Sequence, residues 1–287
     1  MDDFQAKFDS TCACCIGPLL VVVLIVSVIS FKLFIYIFNL SSTSDTKRST
    51  ILSWISGLLT VAVTLAAAGL GVLSVHDDLR EQVFASMCTS MTRSSKLDPV
   101  RCNLLSNLKG NVLEFGPGPG TNFRCWSNNS DILNWVGVEP NKFFSESAVK
   151  AMKNYSISFP TSTVWLNGEN VDVEAGSFDS VVVTHVLCSV ADSIQVLKQV
   201  HRALKPGGTF YFMEHVAAPS RTFLSYVQIA MSPIFYIVGN GCSFKETWAD
   251  ISDSGIFDSY NISLKHFSAD VPLPFLAPHI IGTAVKY

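Results

Sequence analysis

Two long apolar runs occupy the start of the chain, and beyond them short apolar runs alternate with amphipathic segments to the C-terminus. Ile16–Leu40 and Ile51–Val75 are each 25 residues long, and about 20 apolar residues suffice for a helix to cross the hydrocarbon core. The first run carries one charge, Lys32, within snorkelling reach of an end, and the second carries none. A polar loop, SSTSDTKRST, separates them. The pattern predicts a tail over 1–15 and a membrane hairpin over 16–75, with helices 16–40 and 51–75. A hairpin that enters one leaflet without crossing fits the same pattern. Ala67, Gly69 and Gly71 would let the two helices approach closely. Asp2, Asp3 and Asp9 outnumber Lys7 ahead of the first run, which argues against a cleaved signal peptide.

From residue 76 the period changes. NVLEF (111–115), WVGVE (135–139), STVWLN (162–167), FDSVVVTHV (178–186) and TFYFMEHV (209–216) read as strands. Helical patterns fall between them at 142–154 and 192–204, where Ile194, Val196, Leu197, Val200 and Leu204 form an apolar stripe that KPGG (205–208) ends. Near-continuous apolar strands alternating with helices predict an α/β domain over 76–287: a mostly parallel sheet covered by helices on both faces. YNISLKHFSA and HIIGTAVKY add two strands as a closing pair.

Composition changes little in this picture. The net charge of −3 gives no electrostatic reason to expect nucleic acid. The eight cysteines have neither metal-ligand nor disulfide-framework spacing. They are expected to be reduced thiols with no bound metal, and Cys188 to be a packing residue. Cys12, Cys14 and Cys15 abut the first apolar run, where palmitoylation is an alternative. Sequons at Asn39, Asn128, Asn154 and Asn261 matter only if those residues are lumenal.

The candidate chemistry starts at GPGPG, directly after the first strand. In a parallel sheet, ligands bind at the carboxyl ends of the strands, next to the switch point. Gly116, Gly118 and Gly120 lie there, Glu114 just before them, and Glu139 ends the second strand, 19 residues after Gly120. An acid at that place can accept both hydrogen bonds of a ribose diol. NGEN (167–170) supplies polar groups suited to an adenine edge. The spacing is not the G-x-G-x-x-G of a dinucleotide site, and no Lys-Ser/Thr pair follows as in a P-loop. An adenosine ligand without phosphates fits best: S-adenosylmethionine (SAM), whose sulfonium tolerates an acidic site.

The set VLEFGPGPG, VGVEPN, GSFDSVVVTHVL and HRALKPGGTFYFMEHV resembles the seven-stranded, Rossmann-like SAM-dependent methyltransferases. Within them, VLCSV, LKPGGTFYFMEHVAA, GCSFKETW and PHIIGTAVK are similar to the membrane-associated, methyltransferase-like thiol methyltransferases. The resemblance covers roughly Glu81–Lys286. It implies that Gly116, Gly118 and Gly120 pass close to the methionine and ribose of SAM. Glu114 would orient the amino-acid end, Glu139 would hold the ribose hydroxyls, and Glu169 and Asn170 would lie at the adenine. Thr184 and His185 would floor the methyl-transfer site. Pro117 and Pro119 stand where the family more often has a Cys-Gly-Thr-like centre, and His185 where an apolar residue is expected.

Methyl transfer from an activated sulfonium asks the protein mainly for alignment. A thiol acceptor reacts as thiolate and needs no strong base. His185 is the candidate for proton removal or thiolate stabilisation, and His215, with Glu214, for positioning the acceptor. FLSYVQIAMSPIFYIV (223–238) reads as a helix pair broken at Pro233 or as an acceptor-pocket wall touching the bilayer. The expected activity is methylation of a small lipophilic acceptor, an alkyl thiol, by an enzyme on membrane lipid. The alternatives are methylation of a lipid, quinone or phenolic hydroxyl, or a non-catalytic membrane or lipid-droplet interaction protein. The resemblance implies the endoplasmic reticulum or lipid droplets, and a SAM-using domain is expected to face the cytosol. The loop charges Lys47 and Arg48 point weakly the other way.

Overall fold

The structure is a computed structural model that describes residues 32, 34–36, 47–91, 96–127 and 129–287. The tail with its CACC cluster and nearly all of the expected helix 16–40 lie outside these residues, as do two of the sequons, Asn39 and Asn128. The chain divides into two compact units, one ending at Arg80 and one starting at Glu81.

In the first unit, α1 (Lys47–Val75) contains the second apolar run. Trp54–Val75 is 22 residues of mean hydropathy 2.2, long and apolar enough to cross a membrane. Trp54, Leu58 and Leu65 are each about two-thirds exposed or more. Thr60 and Thr64 turn their hydroxyls back onto the carbonyls of Ser56 and Thr60, so neither needs an outside partner.

The second unit begins within α2 (Asp77–Met91), followed by α3 (Asp98–Leu105). Its centre is a seven-stranded sheet. The strands are β1 (Gly110–Phe115), β2 (Ile132–Val138), β3 (Thr161–Val164), β4 (Phe178–Thr184), β5 (Leu204–His215), β6 (Ile262–Ser268) and β7 (Pro278–Val285). The spatial order is β3-β2-β1-β4-β5-β7-β6. The first five run parallel, and β7 pairs antiparallel with both β5 and β6. The order reverses between β1 and β4, so the switch point lies where the glycine turn leaves β1.

Alternate residues of one strand enter opposite cores. Leu113, Phe115, Val181, Val183, Phe210 and Phe212 face one side with Val196, Leu197 and Val200 of α5 (Ser193–Ala203). Val112, Val182 and Tyr211 face the other with Leu105, Phe123, Trp126 and Trp135. This period of two, apolar on both faces, is why the strands read as nearly continuous apolar runs. Asp192 caps α5 by accepting from the Gln195 N–H at 2.9 Å. In chain order α4 (Ser145–Asn154) lies between β2 and β3.

Three expectations need correction. β3 stops at Val164, three residues before NGEN, so that segment is a turn beyond the strand. β5 begins at Leu204, which pairs with Phe178 of β4, and KPGG falls in the register shift before Thr209 pairs with Ser180. The segment 223–238 is one helix, α6 (Phe223–Val238), which continues through Pro233. The Ser232 hydroxyl donates to the Gln228 carbonyl at 2.7 Å, next to the donor that proline lacks. A capping box of Thr222 and Ser225 starts this helix. Gln228 fixes it, donating to Val216 and Phe275 carbonyls and accepting from the Ala218 N–H. The last helix, α7 (Thr247–Ser252), precedes β6.

The cysteines also depart from expectation. Cys102 of α3 and Cys125 of the short 3-10 turn after the glycines form a disulfide. Their separation of 23 residues hides a proximity that the packing of α3 against that turn creates.

Candidate active site

The turn after β1 bends sharply because all three of its glycines take positive φ, at +62°, +54° and +80° for Gly116, Gly118 and Gly120. They do different work. A Cβ at Gly116 would meet Val186 at 2.4 Å, and one at Gly120 would meet Phe123 at 2.7 Å and Ala151 at 2.9 Å. Those two glycines let the turn pack against the body of the domain. A Cβ at Gly118 would find nothing nearer than Phe144 at 3.9 Å. Only there does the turn keep an open side.

Two buried carboxylates hold this turn. Glu139 accepts from the Gly118 N–H at 3.0 Å and from the Asn141 N–H at 2.9 Å. Glu114 accepts from Asn122 Nδ2 at 2.7 Å and from Trp135 Nε1 at 2.9 Å. Burial pushes both carboxyls up to about 7, against the pull of these donors. Asn122 Nδ2 also reaches Thr184 Oγ1 at 3.0 Å, which joins the ends of β1 and β4. Glu169 accepts from the Ala191 N–H at 2.9 Å, so it braces the loop after β4, and Asn170 lies exposed beside it. Sequence reading missed Asn122, Asn141 and Trp135. A lone asparagine or tryptophan has no motif, although both asparagines sit within a few residues of the two glutamates.

A second group lies at the ends of β4 and β5. His185 is a non-glycine at φ +57°, held there as its N–H bonds the Met213 carbonyl at 2.9 Å. Its Nε2 lies 3.1 Å from His279 Nε2. His279 Nδ1 sits 3.1 Å from the Ala277 carbonyl and so carries the proton. His279 Nε2 is then an acceptor, His185 donates from Nε2, and His185 Nδ1 is its basic nitrogen. Burial, reinforced by the neighbouring His279, holds His185 well below the ordinary histidine value. Burial likewise takes His279 down to about 4. Both rings are neutral at pH 7, and His185 is a weak base.

His215 stacks 5.9 Å from the His185 ring and is bordered by Phe235 and Phe244. Its Nε2 is 2.9 Å from Cys242 Sγ, and Cys242 Sγ is 3.4 Å from Cys188 Sγ. Glu214 Oε1 accepts from the N–H groups of Val186 and Leu187 at 2.8 and 3.1 Å. Burial raises its carboxyl well above the usual range. The expected catalytic pair, His185 and His215, is thus adjacent. His279, Cys188 and Cys242 join it from parts of the chain that sequence reading left unassigned or treated as packing.

Residues 113–212 match the family model described as "Methyltransferase domain". Human thiol S-methyltransferase TMT1B is 30% identical over 243 residues, which cover 80% of this chain and 96% of that protein. Human thiol S-methyltransferase TMT1A is 35% identical over 181 residues, covering 62% of this chain and 71% of that protein. Among solved structures, a Haemonchus contortus phosphoethanolamine N-methyltransferase, in complex with S-adenosylhomocysteine, aligns with a TM-score of 0.51 at 13% identity. It covers 66% of this chain and 52% of that one. The fold and the matched domain define a SAM-dependent methyltransferase, with SAM as cofactor. More narrowly, the chain belongs to the family of the thiol S-methyltransferases TMT1A and TMT1B.

Proposed function

We propose that this enzyme transfers the SAM methyl group to a small lipophilic thiol while anchored to a membrane by its apolar N-terminal segment. The observation that carries the acceptor assignment is His185. It directly follows β4, and burial, reinforced by His279, keeps it a weak base. A weak base suits a thiol, which gives thiolate near neutral pH, and does not suit an alcohol or phenol. The thiol methyltransferase relatives support the same choice.

In this reading the open side of Gly118 receives SAM. Gly116 and Gly120 shape the turn, Glu139 accepts from the ribose hydroxyls, and Glu114 orients the amino-acid end through Asn122 and Thr184. Glu169 and Asn170 border the adenine. His185 and His215 receive the acceptor at the ends of β4 and β5. Phe235, Phe244 and Phe275 pack on one another at 5.5–6.0 Å and give that side an apolar wall. Phe223, Tyr226 and Ile229 of α6 are exposed at a spacing of three, which suits contact with membrane lipid.

The domain arrangement proposed is a methyltransferase domain over 76–287 behind a membrane segment over 16–75. SAM is a cytosolic metabolite, so the domain faces the cytosol, at the endoplasmic reticulum or lipid droplets. Labelled SAM offered with alkyl thiols, phenols and lipid acceptors tests the activity. Label appearing in thioethers is expected, and transfer confined to phenols or lipids would reject the assignment. Protease treatment of intact microsomes tests the topology: the domain should be digested, and full protection would reverse it.

A further inference from the structure

Cys188, His215 and Cys242 come from the turn after β4, the end of β5 and the loop after α6. They are 1%, 8% and 6% exposed. Their three potential ligand atoms lie within 4.8 Å of one another. We propose that they bind one zinc ion, and that its fourth position takes the acceptor thiol as thiolate. The second half of this proposal rests on the thiol methyltransferase reading above.

The chemistry of the donors fits zinc. Two sulfurs and one imidazole nitrogen form a soft set, and three protein ligands with one position left over is the pattern of a zinc site that handles substrate. The sulfurs are 3.4 Å apart, and His215 Nε2 is 2.9 Å from Cys242 Sγ. Zinc bonds of about 2.3 Å to sulfur and 2.0–2.1 Å to nitrogen separate tetrahedral ligand atoms by about 3.5–3.8 Å. The two sulfurs would move apart by about 0.4 Å and His215 Nε2 and Cys242 Sγ by about 0.6 Å, with every pair already within 4.8 Å.

Their positions are built in. Ser243 donates from N–H and Oγ to the Cys188 carbonyl at 3.1 and 3.2 Å, locking the two cysteine-bearing loops together. The Ala217 N–H bonds the Lys245 carbonyl at 3.0 Å, tying the second loop to the end of β5. Glu214 accepts from Leu187, next to Cys188, at 3.1 Å. Around the triad, buried polar atoms stand open: His215 Nδ1 and Glu214 Oε2 have no hydrogen-bond partner among the described residues. Neither is one of the three ligand atoms, so zinc on His215 Nε2 would leave Nδ1 as the ring's N–H donor. A simple dithiol would explain the two sulfurs, but it needs no imidazole within 3 Å of one of them.

The step balances. The acceptor thiol gives up its proton to solvent on binding, and its sulfur lone pair attacks the SAM methyl carbon. The new S–CH3 bond forms as the methyl–sulfonium bond breaks, and that bond's electron pair stays on the sulfur of S-adenosylhomocysteine. The thioether product is a weak ligand and departs. His215 would thus position the acceptor as a metal ligand.

The test uses the full-length protein, purified in detergent under reducing conditions, with metal content measured by mass spectrometry. About one zinc per chain is expected, with near-complete loss in Cys188→Ala and Cys242→Ala. Cobalt-loaded protein should show sulfur-to-cobalt charge-transfer absorption that intensifies by about half when an alkyl thiol is added, as two thiolate ligands become three. Wild-type protein that neither carries zinc nor takes it up, or that carries it equally in both variants, would overturn the site. So would a Cys188–Cys242 disulfide found in metal-free, active enzyme. Unchanged cobalt absorption on adding thiol would overturn the fourth-ligand role. Thiol methylation by zinc-free protein would remove the metal and leave the activity. A zinc-loaded protein that methylates no thiol would do the reverse.

Discussion

The two edges of the site contrast. At the ends of β1 and β2, all four oxygens of Glu114 and Glu139 have donors at 2.7–3.0 Å. At the ends of β4 and β5, three histidines and two thiols crowd together while His215 Nδ1 and Glu214 Oε2 go unpartnered. At the first edge the two carboxylates are fully partnered, although Asn122 Oδ1 beside Glu114 is left open among the described residues. At the second, two buried atoms lack partners in the same way, while the rings and thiols contact one another. In the proposed reading, pre-organisation belongs to the cofactor side and selectivity to the acceptor side.

The sharpest way to break this contrast is within the glycine turn. Gly118→Val should lower SAM affinity more than about 100-fold in calorimetry, because it fills the open side. The left-handed backbone adds a stability cost of about 1–2 kcal/mol, small enough to leave a folded domain by circular dichroism. Gly116→Ala should do the opposite and damage folding, since its Cβ would sit 2.4 Å from Val186. Equal loss of binding and folding in both variants would erase the distinction between packing and ligand-facing glycines.

A smaller effect is expected from Glu139. Its carboxyl is held near 7 in the folded protein without SAM, and only the ionised form accepts both ribose hydrogen bonds. SAM should bind about tenfold more weakly at pH 6 than at pH 8. Glu139→Gln should bind weakly at both, with that pH dependence flattened. On the other edge, His185→Ala should leave SAM affinity unchanged and slow thiol methylation by less than about tenfold, since the acceptor supplies its own thiolate. A loss of several hundredfold would show that His185 is an essential base.

The smallest effect is on stability. Glu114 and Glu139 have folded values near 7, above the usual 4.5, so the folded SAM-free protein holds protons that the unfolded chain has released. Their contribution falls as pH rises from about 4.5 to 7 and is flat above. Melting of the SAM-free protein should therefore shift down by several degrees between pH 5.5 and 8, and less so with SAM bound.

The same contrast governs what was legible in the sequence. The cofactor edge is written in short, local signals. An apolar strand, a glycine turn and an acid at the next strand end stand within about 25 residues of one another and follow the strand–turn logic of a parallel sheet. The alternation of strands and helices likewise identified the sheet and its closing antiparallel pair. The acceptor edge is assembled from residues 185–188, 214–215, 242 and 279, with no spacing to betray it. Cys188 and Cys242 are 54 residues apart, and only the β4–β5 register and the return of the chain after α6 bring them together. The Cys102–Cys125 disulfide was hidden in the same way. The continuity of α6 through Pro233 escaped because proline is read as a breaker, while Gln228 and the capping box hold the helix from outside its own propensity.

The central claim is that the acceptor edge is made for sulfur. It is tested most directly by steady-state kinetics of the purified enzyme on one alkanethiol and the alkanol of equal chain length, with SAM saturating. The thiol should be converted to its thioether with a kcat/KM at least about a thousandfold above that for ether formation. Comparable values for the two, or a preference for the alcohol, would contradict it.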